Sequence, residues 1–350
     1  MKLGFVVYGI INFLIMEVKS VENDNCEIEE TTKEKIERFP REKDWIRDIN
    51  LFKYQGFWYP ESFLEGIMSA QQKFEARSTD ILVASSLKTG TTWLKALTFT
   101  IATRSTFLDI STSPLLQKLP HDCIPFLEID LANSMDSSNP NPDNHIPLIA
   151  THIPYNSLPK SAVDSGCKIV YIWRDPKDVF VSLWYFFEKI QKSNKSEPPI
   201  PLEEALELFC RGISLYGPYW EHVLSYWKVK VEFPERILFL KYEEMKKETR
   251  FYVMKLAEFM GYPFSVEEEE NGVVEKIIKM CSFENLSELE VNKNGSHREN
   301  TNIAMKNNVY FRKGKVGDWE NELTPQMAAR LDTVTNHKFR ASGLLLSEVI

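Results

Sequence analysis

Four short apolar runs restrict what this chain can fold into: Ile81–Ser86, Leu148–Thr151, Lys168–Trp173 and Arg236–Lys241. Each is four to six residues long and lacks the alternation of a half-exposed strand. A strand that is apolar throughout must be covered on both faces. Helical patterns lie between the runs, from Thr91 to about Thr103, after Arg174–Asp178, and from about Glu243 to Met260. Strands alternating with helices predict an α/β fold, a single domain with a central parallel sheet flanked by helices. Ligands of such sheets sit beyond the carboxyl ends of the strands, so the residues following the four runs are the functional candidates.

The 350 residues divide into an N-terminal extension, 1–45, and one domain, 46–350. Within the extension, the charged stretch Val18–Lys43 is expected to be a mobile arm or surface helix. The apolar run Leu3–Met16 is shorter than a membrane span and has no small-x-small cleavage site after it. It reads as an extension, or as a segment upstream of a start at Met16, in preference to a signal. Two polar segments, Ser134–Pro147 and Asn292–Asn308, are expected to be long loops or lids. The five cysteines, Cys26, Cys123, Cys167, Cys210 and Cys281, are scattered and odd in number, which suits free thiols in a reducing compartment. The formal net charge of −8 gives no bulk field for nucleic acid or an anionic membrane. An anionic ligand must therefore be held by a local cluster of donors.

The strand ends supply such donors. After the first run comes Leu87-Lys-Thr-Gly-Thr-Thr-Trp93, leading straight into a helix. A glycine in that turn lets amides approach a phosphate, and the helix start adds free N–H groups and partial positive charge. Lys88, Thr89, Gly90, Thr91 and Thr92 thus form a P-loop-like cradle, although the lysine precedes the glycine, unlike the Walker order. The third run hands over to Arg174, with Ser182 eight residues on; a guanidinium fork plus a hydroxyl suits a second phosphate. The second run ends in Thr151-His152, which places an imidazole at the sheet edge. The other histidines, His121 among them, have no comparable placement in the sequence. Near the C-terminus, Arg312, Lys313, Gly314, Lys315 and Gly317 form a basic, glycine-containing turn. Taken singly, each feature also fits a blander role: a solvated lysine, an Arg174–Asp178 ion pair, a packing histidine, a surface turn.

Together, and in this order, the motifs resemble the cytosolic sulfotransferases, in their plant flavonol-sulfotransferase-like branch. The resemblance runs from about Trp58 to Leu344. Lys88–Trp93 matches a P-K-[ST]-G-T-T-W loop, with Leu87 in place of the family proline, a change expected to loosen the turn. Tyr171–Ser182 matches Y-x-x-R-x-P-K-D-x-x-x-S, and Arg312–Trp319 matches R-K-G-x-x-G-D-W. The stretches His121–Asp130, Phe239–Met245 and Cys281–Leu286 also look like this branch.

The resemblance implies a cytoplasmic, PAPS-dependent enzyme (PAPS is 3'-phosphoadenosine 5'-phosphosulfate) that moves a sulfuryl group to a hydroxyl of a small acceptor, without a metal. It implies that Lys88, Thr89, Gly90, Thr91 and Thr92 hold the phosphosulfate end. Arg174, Ser182, Arg312, Lys313 and Gly314 would hold the 3'-phosphate, and Trp93, Tyr242 and Phe283, with Ser282 beside them, the adenine. It implies His152 as the general base and Lys88 as the stabiliser of the leaving oxygen. Phe52, Trp58, Tyr155, Trp184 and Tyr185 are candidates for an apolar acceptor pocket, for a flavonoid, steroid or hydroxyjasmonate. The stretch Glu320–Ala329 lacks the lysine, valine and glutamate of the K-x-x-x-T-V-x-x-x-E dimer motif of animal relatives, so a monomer is expected. A kinase of P-loop type, a non-catalytic binder of adenosine bisphosphate, and a membrane-anchored sulfotransferase with Leu3–Met16 as its anchor remain the rival readings.

Overall fold

A computed structural model describes residues 31–344, apart from 44, 46–48, 108–109, 133–145, 195–199, 300 and 302–303. The apolar run Leu3–Met16, Cys26 and most of the expected Ser134–Pro147 loop lie outside the described residues.

The four apolar runs are the central sheet: β1 (Ile81–Ser85), β2 (Leu148–Thr151), β3 (Lys168–Trp173) and β4 (Ile237–Lys241), in the order β2-β1-β3-β4. All neighbours are parallel, with Ile81 opposite both Leu148 and Lys168 and Ile169 opposite Ile237. Side chains alternate between two cores. Leu82, Ala84, Ile169, Tyr171 and Phe239 face one layer, which Phe180, Tyr226 and Leu331 cover. Ile81, Val83, Val170, Ile172 and Leu238 face the other, covered by Leu94, Leu97, Val253 and Ile277. Both faces are therefore dry, which is why the sequence shows continuous apolar runs.

The helices around the site are α1 (Thr91–Thr103), directly after β1, α2 (Pro176–Asn194), after β3, and α3 (Tyr242–Lys247), after β4. The expected single helix from Glu243 to Met260 is broken. Glu248 leaves the helical region (φ −127°, ψ 53°), and a separate helix, α4 (Thr249–Met260), follows. The segment Asn292–Asn308, expected to be one loop, carries structure: Ser296 and His297 pair antiparallel with Lys306 and Met305, and Asn307–Tyr310 form a 3-10 turn. From Thr31 on, the N-terminal extension is folded against the domain. Thr32–Glu37 is helical, Arg41–Lys43 pairs with Leu51 and its neighbours, and Ile36 and Trp45 are fully buried.

The chain leaves β1 toward β2 and then crosses back to β3, on the other side of β1. The carboxyl end of β1 is thus the point where connections diverge, and a crevice opens there.

Candidate active site

A cavity of about 280 Å³ occupies that crevice. It is lined by Lys88, Gly90, Thr91, Thr92, Trp93, His152, Arg174, Ser182, Tyr242, Ser282, Phe283, Arg312, Lys313 and Gly314, so residues from six parts of the sequence converge on one space. Of the residues predicted for the nucleotide and the catalytic step, Thr89 alone turns its side chain away. It is fully buried and donates to the Ser86 carbonyl (2.9 Å) and the Ile172 carbonyl (3.1 Å), pinning the turn to β1 and β3. Those bonds anchor the turn where the expected loosening at Leu87 would act.

Backbone geometry explains the residues of the turn. Lys88 has φ 64° and Gly90 φ 112°, both in the left-handed region, so the chain folds sharply back into α1. A Cβ on Gly90 would stand 2.7 Å from Tyr242 Cδ2, so only glycine allows the ring to close over the turn. The first-turn amides of α1 have no partner within the helix, and their residues, Thr91, Thr92 and Trp93, line the cavity. Gly314 (φ 62°) is the second such position: a Cβ there would meet the Phe283 ring at 2.5 Å. The Gly314 carbonyl accepts from Tyr242 Oη at 3.2 Å, and Trp93 meets Tyr242 edge-on at 5.5 Å. Trp93, Tyr242, Phe283 and Gly314 are thus one interlocked aromatic wall.

Positive charge gathers beside that wall. Burial, then the neighbouring cations Lys189, Arg312 and Arg174, push the Lys88 ammonium down to about 7. Lys88 Nζ also lies 4.3 Å over the Phe186 ring. Arg174 is 6% exposed and stacks 4.5 Å from the Tyr242 ring. Its Nη2 donates to Asp178 Oδ2 at 2.9 Å and to the Lys315 carbonyl, while its buried Nε makes no hydrogen bond. The ion pair with Asp178 that offered the bland reading of Arg174 therefore exists, and it holds the guanidinium in the cavity wall. Asp178 also accepts from the amides of Gly317 (2.9 Å) and Trp319 (3.1 Å), tying the C-terminal turn to α2. Asp318 performs the same service for Arg312 Nη1 (2.5 Å) and Lys313 Nζ (2.9 Å). Ser182 lies buried nearly two turns into α2. Ser282 caps the helix Phe283–Glu288 by accepting from the Asn285 amide, which leaves its O–H free to donate. Cys281 is buried, with Sγ 3.5 Å from Thr100 Oγ1, and burial raises its thiol to about 12.

His152 closes the other end. Its Nδ1 stands 2.7 Å from the Ser85 carbonyl, which can only accept, so Nδ1 carries the hydrogen and Nε2 the lone pair. Burial lowers its pKa to about 3, against the opposing pull of the Ser85 carbonyl. Ser85 Oγ lies 2.8 Å from Thr91 Oγ1 and 3.3 Å from His152 Nδ1, so one hydroxyl joins the cradle to the imidazole. The buried carboxylate of Glu128 holds the strand end. It accepts from the His152 amide (2.8 Å), Thr151 Oγ1 (2.9 Å) and Tyr216 Oη (3.2 Å).

Three parts of this site escaped the sequence reading. Ser85 looked like one more strand residue, and Glu128 gave no signal beyond its place in the His121–Asp130 stretch. His121, judged unplaced, in fact lines the cavity, with Nε2 3.0 Å from Thr92 Oγ1. His222 is buried behind His152 and bonds its carbonyl at 2.9 Å. The five aromatics proposed for an acceptor pocket do not line this cavity. Phe52 belongs to the core, Trp58 packs with Leu51 and Ile213, and Tyr155, Trp184 and Tyr185 pack against the core from outside. The apolar walls come instead from Phe186, Leu286, Tyr310 and Phe311. Among the described residues no cluster of three or more His, Cys, Asp or Glu side chains is placed to hold a metal ion.

A helix start, a cluster of cations and a neutral imidazole thus share one cavity at the carboxyl end of a parallel sheet. The sulfotransferase-domain family model matches residues 78–343, and the chain belongs to the sulfotransferase family. It is 49% identical over 338 residues to cytosolic sulfotransferase 16 of Arabidopsis thaliana, covering 94% of this chain and 99% of that protein. It is 53% identical over 298 residues to flavonol 3-sulfotransferase of Flaveria bidentis, covering 85% and 94%. The crystal structure of a mouse sulfotransferase complexed with PAP superposes with a TM-score of 0.64 at 29% identity, covering 84% of this chain and 96% of that one. The chain is accordingly an enzyme of sulfuryl transfer. Among the described residues no helix is long and apolar enough to cross a membrane.

Proposed function

We propose that the chain transfers the sulfuryl group of PAPS to a hydroxyl of a small, flat acceptor in the cytoplasm, acting as a monomer. The observation that carries this reading is the convergence of Lys88, Arg174, Arg312 and His152 on one cavity. The residues present fit PAPS: Arg174 Nε is a buried donor that makes no hydrogen bond, and Gly90 and Gly314 let the Tyr242 and Phe283 rings close against the turns that line the cavity. The phosphosulfate end belongs at Lys88, Thr91, Thr92 and the amides of the turn from Thr89 and Gly90. The 3'-phosphate belongs at Arg174, Ser182 and Arg312 with the Lys313 and Gly314 backbone. The adenine belongs between Trp93, Tyr242 and Phe283, beside Ser282.

Bound PAPS supplies the activated sulfuryl group. His152 Nε2 takes the proton of the acceptor hydroxyl, and the Ser85 carbonyl steadies the imidazolium that results. Lys88 supplies positive charge where the leaving oxygen becomes negative. The Flaveria relatives named flavonol sulfotransferases support a flavonol-like acceptor, and the apolar walls Phe186, Tyr310 and Phe311 suit a planar ring. The test is incubation with PAPS and a panel of flavonols, steroids and hydroxylated oxylipins, read by mass spectrometry. A sulfated product is expected from the wild type, and none above background from His152→Asn. Turnover of ATP abolished by EDTA would favour the kinase reading instead. Nucleotide binding without a sulfated product would favour the silent binder.

A further inference from the structure

A second histidine faces the cavity and has no part in the scheme above. His121 lies in the short helix Pro120–Cys123, is 5% exposed, and places Nε2 3.0 Å from Thr92 Oγ1. Its ring is wedged between Phe126 (5.6 Å) and Tyr310 (4.3 Å), which fixes the plane of the imidazole. The backbone is held as well: Lys95, fully buried in α1, donates from Nζ to the His121 carbonyl at 3.4 Å. Its other ring nitrogen, Nδ1, is buried without a hydrogen-bond partner.

That asymmetry decides where the hydrogen sits. Burial, and then the Lys95 ammonium, hold His121 well below the usual histidine range, so the ring is neutral and carries one N–H. If Nδ1 carried it, a buried N–H would have no acceptor, and orphaned donors are rarer than bare acceptors. With the hydrogen on Nε2, His121 donates to Thr92 Oγ1. The Thr92 hydrogen must then turn away from His121, toward the cavity. We propose that His121 is a positioning residue that fixes the Thr92 hydroxyl as a donor to the anion bound at the start of α1. The inference rests on the reading of that turn as a phosphosulfate site.

A double-mutant cycle on PAP affinity, measured by titration calorimetry, tests it. His121→Phe is expected to weaken PAP about tenfold, the scale of one hydrogen bond to a charged group. His121→Gln, whose amide reaches the place of Nε2, is expected to stay within about threefold of wild type. In a Thr92→Val background, His121→Phe is expected to add nothing. Equal losses from His121→Phe in both backgrounds, or a His121→Gln as damaged as His121→Phe, overturn the proposal. If His121→Phe fails to melt cooperatively, His121→Asn replaces it. Its amide reaches only the place of Nδ1, so a loss like that expected of Phe supports the proposal and an affinity equal to that of His121→Gln overturns it. Wild-type protein that binds no PAP removes the phosphate-site reading and this inference with it. Binding-competent protein with additive mutations removes this inference alone.

Discussion

Lys88 carries the sharpest quantitative prediction. Without an anion its ammonium is buried beside Lys189, Arg312 and Arg174, and its pKa falls to about 7. At pH 8 the group then carries only about 0.1 proton, from the ordinary titration relation. An anion placed against it favours the charged form and raises the pKa back toward or past its free value of 10.5. Binding of PAP at pH 8 should therefore take up about 0.9 proton, and the Lys88 share of the uptake should fall toward zero below pH 6, where Lys88 is already charged. The nucleotide contributes nothing at pH 8, because the second phosphate ionisation lies near pH 6 and is already complete. The assay is titration calorimetry at pH 8 in buffers of different ionisation enthalpy. Lys95, also lowered to about 7, could contribute, but its ammonium lies over Phe126, outside the cavity lining. Lys88→Arg separates the two, since arginine stays charged throughout and leaves Lys95 in place. Uptake should nearly vanish in Lys88→Arg. Uptake unchanged in Lys88→Arg, or none in wild type, would refute the argument that burial and the cavity cations suppress Lys88 until an anion arrives.

Four further perturbations follow from the same geometry. His152→Ala should lower turnover by about 10²-fold or more while leaving PAP affinity within about threefold, because the imidazole serves the acceptor and not the nucleotide; steady-state kinetics beside calorimetry separates the two. In wild type, His152 is held neutral down to about pH 3, so kcat/KM should show no His152 protonation limb near pH 6.5, and a limb there that disappears in His152→Ala would count against its buried state. Gly90→Ala should cost about tenfold or more in PAP affinity, since it combines a left-handed φ of 112° with a 2.7 Å approach to Tyr242; unchanged affinity would mean the turn has another conformation. Asp178→Ala removes the close carboxylate partner of buried Arg174, leaving it the Lys315 carbonyl and Glu243, and frees the Gly317 and Trp319 amides, so unfolding in urea should show a loss of about 2–3 kcal/mol.

The strands were legible because burial on both faces forces apolar residues into continuous runs, and their observed ends differ from the expected ones by a residue at Ser86 and at Arg236. The cradle was legible for a different reason. Gly90 and Gly314 occupy positions that a Cβ would close, and Lys88, Arg174 and Arg312 stand at strand ends or turns that the resemblance marks. What stayed hidden depends on contacts between distant segments. Glu128 and His152 are 24 residues apart in sequence yet share a hydrogen bond, and His121 reaches Thr92 across 29. No local pattern announces such pairs. Thr89 was placed among the ligand contacts because its neighbours are there, but its hydroxyl serves the two strands. The aromatics Trp58 and Trp184 do not line the cavity that holds Lys88 and His152, and no local pattern tells a ring on a cavity wall from one packed elsewhere.

The structure of the protein in complex with PAP tests the central claim most directly. One nucleotide should span the cavity, with its 5'-phosphate against Lys88 and the amides leading into α1 and its 3'-phosphate against Arg174, Ser182 and Arg312. Density for the two phosphates at unconnected places, or a nucleotide bound away from β1, would contradict it.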